Sequence, residues 1–95
     1  PGSSLEVIAL RDGRWAMVHN DTEEGRRSLA VTLSDNEGVG WKWVRHLERG
    51  KGSYGYPSVI QARNGLIHAT YSHHDEEGRT IKHVTFDVEW IGAGD

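Results

Sequence analysis

One short segment, residues 73–77, concentrates residue types that bind metal ions or transfer protons. It reads His-His-Asp-Glu-Glu. Consecutive loop positions direct their side chains apart, and no distant residue completes the spacing of a structural zinc site. The segment is therefore predicted to be a solvated hairpin loop, and we expect neither a metal nor a cofactor.

Two further histidines, His68 and His83, fall in segments predicted to be strands. A strand histidine that bonds to a neighbouring group is more common than a catalytic one. The sequence has no cysteine, which excludes a thiolate nucleophile, a thiolate metal site and a disulfide scaffold. No Ser/His/Asp arrangement or phosphate-binding glycine loop stands out, so these residue types alone do not predict a catalytic centre.

The composition describes a single folded domain. The 95 residues include 11 Lys and Arg against 14 Asp and Glu, scattered along the chain, so no basic stripe predicts a nucleic acid partner. The longest apolar run, residues 7–10, is far shorter than the ~20 residues that cross a bilayer, and we expect no membrane partner. Because the first residue is Pro1 rather than Met, we expect a piece of a longer chain.

The strongest internal signal is a repeat. Two blocks of sequence recur in the same order, the first displaced by 52 residues and the second by 53, which predicts two copies of one unit with one inserted residue between the blocks. The matches are Val7-Ile8 with Val59-Ile60, Arg11 with Arg63, Gly13 with Gly65, residues 23–26 with residues 76–79, and Val31-Thr32 with Val84-Thr85.

Each copy is predicted to be antiparallel β-structure, with no helical period anywhere. Asp12-Gly13 and Asn64-Gly65 are typical of tight hairpin turns. Four antiparallel strands in about 50 residues are typical of a β-propeller blade, so we predict an all-β chain of two blades, residues 5–50 and 54–91, that form part of a propeller. The predicted strands are residues 5–10, 14–20, 28–34 and 41–47 in the first copy, and residues 58–62, 66–72 and 80–87 in the second.

Residues 34–41 fit the spacing S-x-D-x-G-x-x-W, with Asn36 at the Asp position. At this spacing the side chains of Ser34 and Asn36 are expected to accept hydrogen bonds from N–H groups of a turn. Gly38 is expected to take a positive φ, and Trp41 to fold beneath the sheet. This pattern is that of the Asp-box, or BNR, repeat, which implies a fold rather than a chemistry.

On these features the chain resembles the C-terminal blades of the bacterial BNR-repeat, sialidase-like family. The resemblance covers essentially the whole chain and implies a sialidase-like propeller. It rests on residues 56–71 and 81–84, on residues 5–14, and on His19-Asn20 and Gly25-Arg26 before the Asp-box.

The resemblance implies roles for individual residues. Sialidases use a tyrosine nucleophile, and Tyr56 stands at the matching position. A trio of arginines binds the sialic acid carboxylate, and Arg26 matches the third of them. Tyr54 is expected on the same face as Tyr56, where either ring could contact the sugar.

The implied function is that of the C-terminal part of a glycoside hydrolase that removes terminal sialic acid, or a related acidic sugar, from glycans. The isolated chain is expected to be inactive, because the family's acid/base residues lie on earlier blades. The alternative is a non-catalytic BNR-repeat module for glycan binding or assembly. Two blades leave sheet faces uncovered, so the expected partners are an acidic sugar together with further copies of the chain or the missing blades of a parent.

Overall fold

The computed structural model describes residues 5–20, 28–50 and 52–95. Within them the chain is nearly all β, as predicted, with a four-stranded and a three-stranded antiparallel sheet and one short helix. The arrangement is consistent with propeller blades, and the described residues form two sheets rather than a closed ring. The first sheet holds β1 (Leu5–Ala9), β2 (Trp15–His19), β3 (Ser28–Ser34) and β4 (Trp43–Arg49); the second holds β5 (Ser53–Gln61), β6 (Ile67–Asp75) and β7 (Gly78–Phe86); helix α1 is Val88–Ala93.

The first hairpin of each sheet closes in the same way. The N–H of Leu10 donates to the carbonyl of Arg14 at 2.7 Å, and the N–H of Ala62 donates to that of Leu66 at 2.8 Å. The predicted turns are present as three-residue loops in which only the glycine has a positive φ. A type I turn followed by a left-handed residue has this form, and glycine takes the left-handed place without strain.

Strand pairing relates the two sheets by a single displacement of 52 residues. The 53-residue displacement expected for the second block is wrong for the strands, because the sequence match of Val31 with Val84 is out of register by one residue. A one-residue shift places side chains on opposite faces of a sheet. The pairs that fix the displacement are His19 with Ala30 in the first sheet and Tyr71 with Lys82 in the second.

The sheets pack against each other through their inner faces, and β1 lies near β5. Just after β1, the guanidinium of Arg11 donates to the carbonyl of Ala62 at 2.9 Å, and the Arg11 N–H donates to the side chain of Gln61 at 2.9 Å. Each large apolar side chain buried between the sheets contributes about 1.5–3 kcal/mol to stability. The inner face of the first sheet comprises Ala16, Val18, Leu29, Val31 and Leu33, and that of the second comprises Val59, Ile67, Ala69 and Tyr71.

Helix α1 was not predicted from the sequence. Asp87 caps its first turn by accepting a hydrogen bond from the N–H of Trp90 at 2.8 Å, and Ile91 is fully buried. The helix lies against β4, where the guanidinium of Arg45 sits 4.0 Å from the Trp90 ring centroid. Six residues are too few to form a stable helix alone, so the cap and this packing hold it in place.

Candidate functional site

Tyr56 occupies a β-bulge near the start of β5. The register passes from Gly55 opposite Ser72 to Ser58 opposite Thr70, so two residues of β5 face one residue of β6. Tyr56 has a φ of 51°, a left-handed conformation that is uncommon for any residue with a side chain. Such strain costs on the order of 1–3 kcal/mol and is found most often at functional sites. The side chain of Tyr56 is 70% exposed.

Two side chains fix the backbone beside the bulge. The amide nitrogen of Asn20 donates to the carbonyl of Tyr54 and to that of Ser28, both at 3.0 Å. The hydroxyl of Ser72 donates to the carbonyl of Gly55 at 3.1 Å. The main chain before Tyr56 is therefore held from both sheets, which lets the strained conformation persist.

Tyr54 does not share the face of Tyr56, so that part of the prediction is wrong. The bulge shifts the alternation of β5 by one residue, and Tyr54 is only 4% exposed. Its ring stacks on His73 at 5.0 Å and meets the edge of Tyr71 at 6.1 Å. Burial, followed by the nearby charge of Glu48, raises the pKa of Tyr54.

A second tyrosine pairs with a carboxylate, which the sequence did not predict. The buried hydroxyl of Tyr71 donates to Glu48 Oε2 at 2.6 Å, and the ammonium of Lys82 donates to the same oxygen at 2.5 Å. Burial, followed by the hydrogen bond to Glu48, raises the pKa of Tyr71 well above its ordinary value. The trio joins β4 to β6 and β7, so it ties the two sheets together. Because Tyr71 is inaccessible and hard to ionise, it is unsuited to act as a nucleophile.

Arg26, the predicted carboxylate clamp, lies outside the described residues. Asn20 ends the described part of that region, and its bond to Tyr54 brings the end of β2 to the start of β5. The catalytic role of Tyr56 and the substrate contacts of Arg26 and Tyr54 stay predictions.

The turn between β3 and β4 has the hydrogen bonds that the spacing predicted. The N–H of Gly38 donates to Ser34 Oγ at 2.9 Å, and the N–H of Gly40 donates to Asn36 Oδ1 at 2.8 Å. The Ser34 hydroxyl donates to the same Asn36 oxygen at 2.8 Å. Gly38 has a φ of 84°, and a methyl group there would lie 3.1 Å from the Trp15 ring and 3.6 Å from the Trp41 ring. Trp41 itself is half-buried.

The histidines and carboxylates of the second sheet make local contacts. His68 Nδ1 and His83 Nε2 share a hydrogen bond at 3.0 Å, as expected for strand histidines. The predicted loop of residues 73–77 is shorter than expected, because β6 continues through Asp75 and only Glu76 and Glu77 form the turn to β7. In that turn the N–H of Glu77 donates to Asp75 Oδ1 at 2.9 Å. Across residues 5–20, 28–50 and 52–95, no group of three or more His, Asp or Glu side chains could hold a metal ion.

Near α1, the side chain of Asp95 accepts the N–H of His46 at 2.8 Å and also pairs with Arg49. The contacts with His46, backbone and then side chain, lower the pKa of Asp95 to about 2. The group is a surface ion-pair cluster that fastens the residues after α1 to β4.

Among the described residues, no helix is both long and apolar enough to span a membrane. The described residues form a β module of two packed antiparallel sheets, consistent with propeller blades. The BNR repeat-like domain family matches residues 1–69, and the chain belongs to that family. No curated protein and no solved structure gives a significant match to the sequence.

Proposed function

We propose that this chain contributes the tyrosine nucleophile to a sialidase-like site that hydrolyses a terminal acidic sugar with retention of configuration. The hydroxyl of Tyr56 gives its proton to a base outside the described residues as its oxygen attacks the anomeric carbon. The glycosidic bond breaks in the same step, and an acid outside the described residues protonates the leaving oxygen. Water then releases the sugar from the tyrosine. Arg26 binds the sugar carboxylate.

The observation that carries the proposal is the conformation and exposure of Tyr56. A tyrosine is rarely left-handed, and this one stands at a bulge that places its ring in solvent. Bulges of this kind redirect a side chain next to active sites. Membership of the BNR repeat-like family supports the sialidase reading, and the turn of residues 34–41, which we assign as an Asp-box, agrees with it.

The choice of Tyr56 over the other tyrosines of the second sheet follows from access. Tyr54 and Tyr71 are buried, and burial raises the pKa of each. A sugar ring can reach neither hydroxyl without disrupting the contact between the sheets. Tyr56 needs no such rearrangement.

Chemical-shift mapping with free sialic acid tests the proposal on the chain itself. One arginine contributes only about 1.5–3 kcal/mol, less than the 4.1 kcal/mol of a millimolar complex, so the sugar is added at tens of millimolar. We expect shifts of the amides at Gly55, Tyr56 and Ser72 that exceed those caused by a neutral hexose. Arg26→Gln should remove that excess. Equal shifts from both sugars, or shifts confined to another surface, would contradict the proposal.

The second candidate is a non-catalytic BNR module that serves in assembly. It is favoured by Ile60 and Ile81, which the second sheet leaves 61% and 72% exposed, because exposed apolar side chains are available for contact with a partner. The sugar titration separates the two functions, since a module for assembly has no reason to distinguish an acidic sugar from a neutral one.

A further inference from the structure

The turn between β5 and β6 contains the one Asn-Gly pair of the sequence, Asn64-Gly65. Asn64 is exposed, and its Oδ1 accepts the N–H of Leu66 at 3.0 Å. Gly65 has a φ of 90°, and its N–H donates to the carbonyl of Ala62 at 2.9 Å. The carboxamide of Asn64 is therefore folded back on the main chain, next to a residue that has no side chain.

This arrangement favours attack of the Gly65 nitrogen on the side-chain carbonyl carbon of Asn64. Glycine has no Cβ, so nothing at Gly65 hinders the approach of the two atoms. The N–H of Leu66 polarises the carboxamide carbonyl that is attacked. The Gly65 nitrogen must first release the carbonyl of Ala62, which requires only a local opening of an exposed turn.

We propose that Asn64 is a site of spontaneous deamidation. The Gly65 nitrogen loses its proton to the solvent and bonds to Cγ of Asn64, and the carboxamide nitrogen takes up a proton and leaves as ammonia. Water then opens the resulting succinimide ring at either of its two carbonyl groups. One opening produces aspartate, and the other produces isoaspartate, in which the main chain continues through the side-chain carbonyl. The reaction involves neither Tyr56 nor any sugar.

The equivalent turn of the first sheet already carries the aspartate. The displacement of 52 residues places Asp12 at the position of Asn64, and Asp12 Oδ1 accepts the N–H of Arg14 at 2.9 Å as Asn64 accepts that of Leu66. An aspartate therefore fits this turn without rearrangement. Asp12 itself should be inert, because hydrogen bonds from the side chain and then the N–H of Arg14 lower its pKa, and an ionised carboxylate resists nucleophilic attack.

Isoaspartate should disturb the contact between this turn and the first sheet. It adds one methylene to the main chain just before Gly65, whose carbonyl accepts a hydrogen bond from the Gln61 side chain at 3.1 Å. The same Gln61 side chain accepts the N–H of Arg11, and the Arg11 guanidinium donates to the carbonyl of Ala62. We therefore expect aspartate to preserve this junction and isoaspartate to weaken it.

Incubation of the folded chain at mildly alkaline pH, followed by peptide mass spectrometry, tests the proposal. Chromatographic separation of the peptides distinguishes aspartate from isoaspartate. Asn36 is the internal control, because it is also exposed in a turn but is followed by Glu37, whose side chain hinders the attack. Asp12→Asn is the matched variant, because it places the same Asn-Gly pair in the first turn. Circular dichroism checks that this variant is folded.

Over days, we expect wild type to lose the amide of Asn64 and to yield both products, whereas Asn36 keeps its amide and Asp12 keeps its normal main-chain link. Asp12→Asn should lose an additional amide at the substituted position. An amide of Asn64 that outlasts the incubation overturns the proposal, and so does equal loss at Asn36. If Asp12→Asn loses no additional amide, the turn geometry is not the cause, and the proposal fails as well.

The separated products test the effect on the junction. Asn64→Asp should melt close to wild type, and the isoaspartate form should melt at a lower temperature. Equal melting temperatures of Asn64→Asp and the isoaspartate form would contradict the effect that we assign to the added methylene.

Discussion

Removing the hydroxyl of Tyr71 probes the tie between the two sheets. In the structure this hydroxyl is buried and donates at 2.6 Å to a carboxylate oxygen that also accepts from Lys82. Tyr71→Phe preserves the ring and its packing. The change in unfolding free energy therefore reports the hydrogen bond to Glu48.

A hydrogen bond to a charged group contributes about 1.5–3 kcal/mol, and we expect Tyr71→Phe to lower the free energy of unfolding by that amount. For a domain of this size each kcal/mol shifts the melting temperature by roughly 4–8 °C, so the fall should be at least about 6 °C. In a chain that already carries Glu48→Gln, Tyr71→Phe should lower the free energy of unfolding by less. The coupling between Tyr71 and Glu48 in a double-mutant cycle should lie in the range of about 0.5–3 kcal/mol.

Alkaline pH gives an independent measure of the same group. The pKa of Tyr71 is raised above its ordinary value of 10.0 in the folded chain. Below pH 10 both states keep the proton, and stability is unaffected. Above pH 10 the unfolded state loses the proton first, so stability falls by up to about 1.4 kcal/mol per pH unit for this group. Tyr71→Phe should flatten that slope.

Urea unfolding followed by tryptophan fluorescence at pH 7 and between pH 10 and 11 provides both measurements. Tyr56→Phe is the control, because exposed substitutions usually change stability by less than about 0.5 kcal/mol. If Tyr71→Phe is as stable as Tyr56→Phe at pH 7 and has the same alkaline slope as wild type, the hydrogen bond does not tie the sheets, and this reasoning fails.

Three further predictions concern other parts of the chain. The side-chain carboxyl of Asp95, followed by ¹³C NMR, should titrate near pH 2 rather than at its ordinary 3.8, so the stability that it contributes should be lost as pH falls through about 2. A titration midpoint near 3.8 would show that the contacts to His46 are absent in solution. Gly13→Ala should lower the free energy of unfolding by about 1–2 kcal/mol, because of its positive φ alone. Gly38→Ala should lower it by more, because the added methyl group lies 3.1 Å from the Trp15 ring. Equal shifts of the melting temperature would contradict that contact. The chain alone should not hydrolyse a fluorogenic sialoside above the buffer blank; turnover that Tyr56→Phe abolishes would show that the chain assembles a complete site.

The number and order of the strands followed from the sequence, but not every bound did: β5 begins at Ser53 rather than at residue 58, and β6 continues to Asp75 rather than ending at residue 72. The bounds that were predicted lie next to residues with a strong local preference. Asp12-Gly13 and Asn64-Gly65 close hairpins in both copies, and β3 begins and ends where alternation and the following turn predicted. The turn of residues 34–41 was predictable in detail, since its hydrogen bonds join residues at most four apart. Local patterns predict local geometry.

What the sequence did not predict depends on contacts between distant residues. The bulge that separates Tyr54 from Tyr56 interrupts an otherwise regular alternation and is held by Asn20, 34 residues before Tyr54. Glu48 accepts the hydrogen bond of Tyr71, which lies 23 residues later in the chain. Glu48 faces Tyr71 because the pairing of β3 with β4 shifts between Leu29 and Ala30, and this shift changes which residues of β4 point to the inner face. Helix α1 forms because its partner strand lies beside it in the fold, and a six-residue segment carries no periodic signal.

The attachment of α1 to β4 also bears on how the chain emerges from the ribosome. Arg45 bonds to the carbonyl of Trp90, and His46 to Asp95, so the cover of β4 comes from residues made more than 40 positions later. Synthesis proceeds at about 5–20 residues per second, which leaves the first sheet complete but uncovered for some seconds. Contacts of such sequence separation also slow folding. The two sheets should therefore fold as one cooperative unit once residues 90–95 have been made, rather than one after the other.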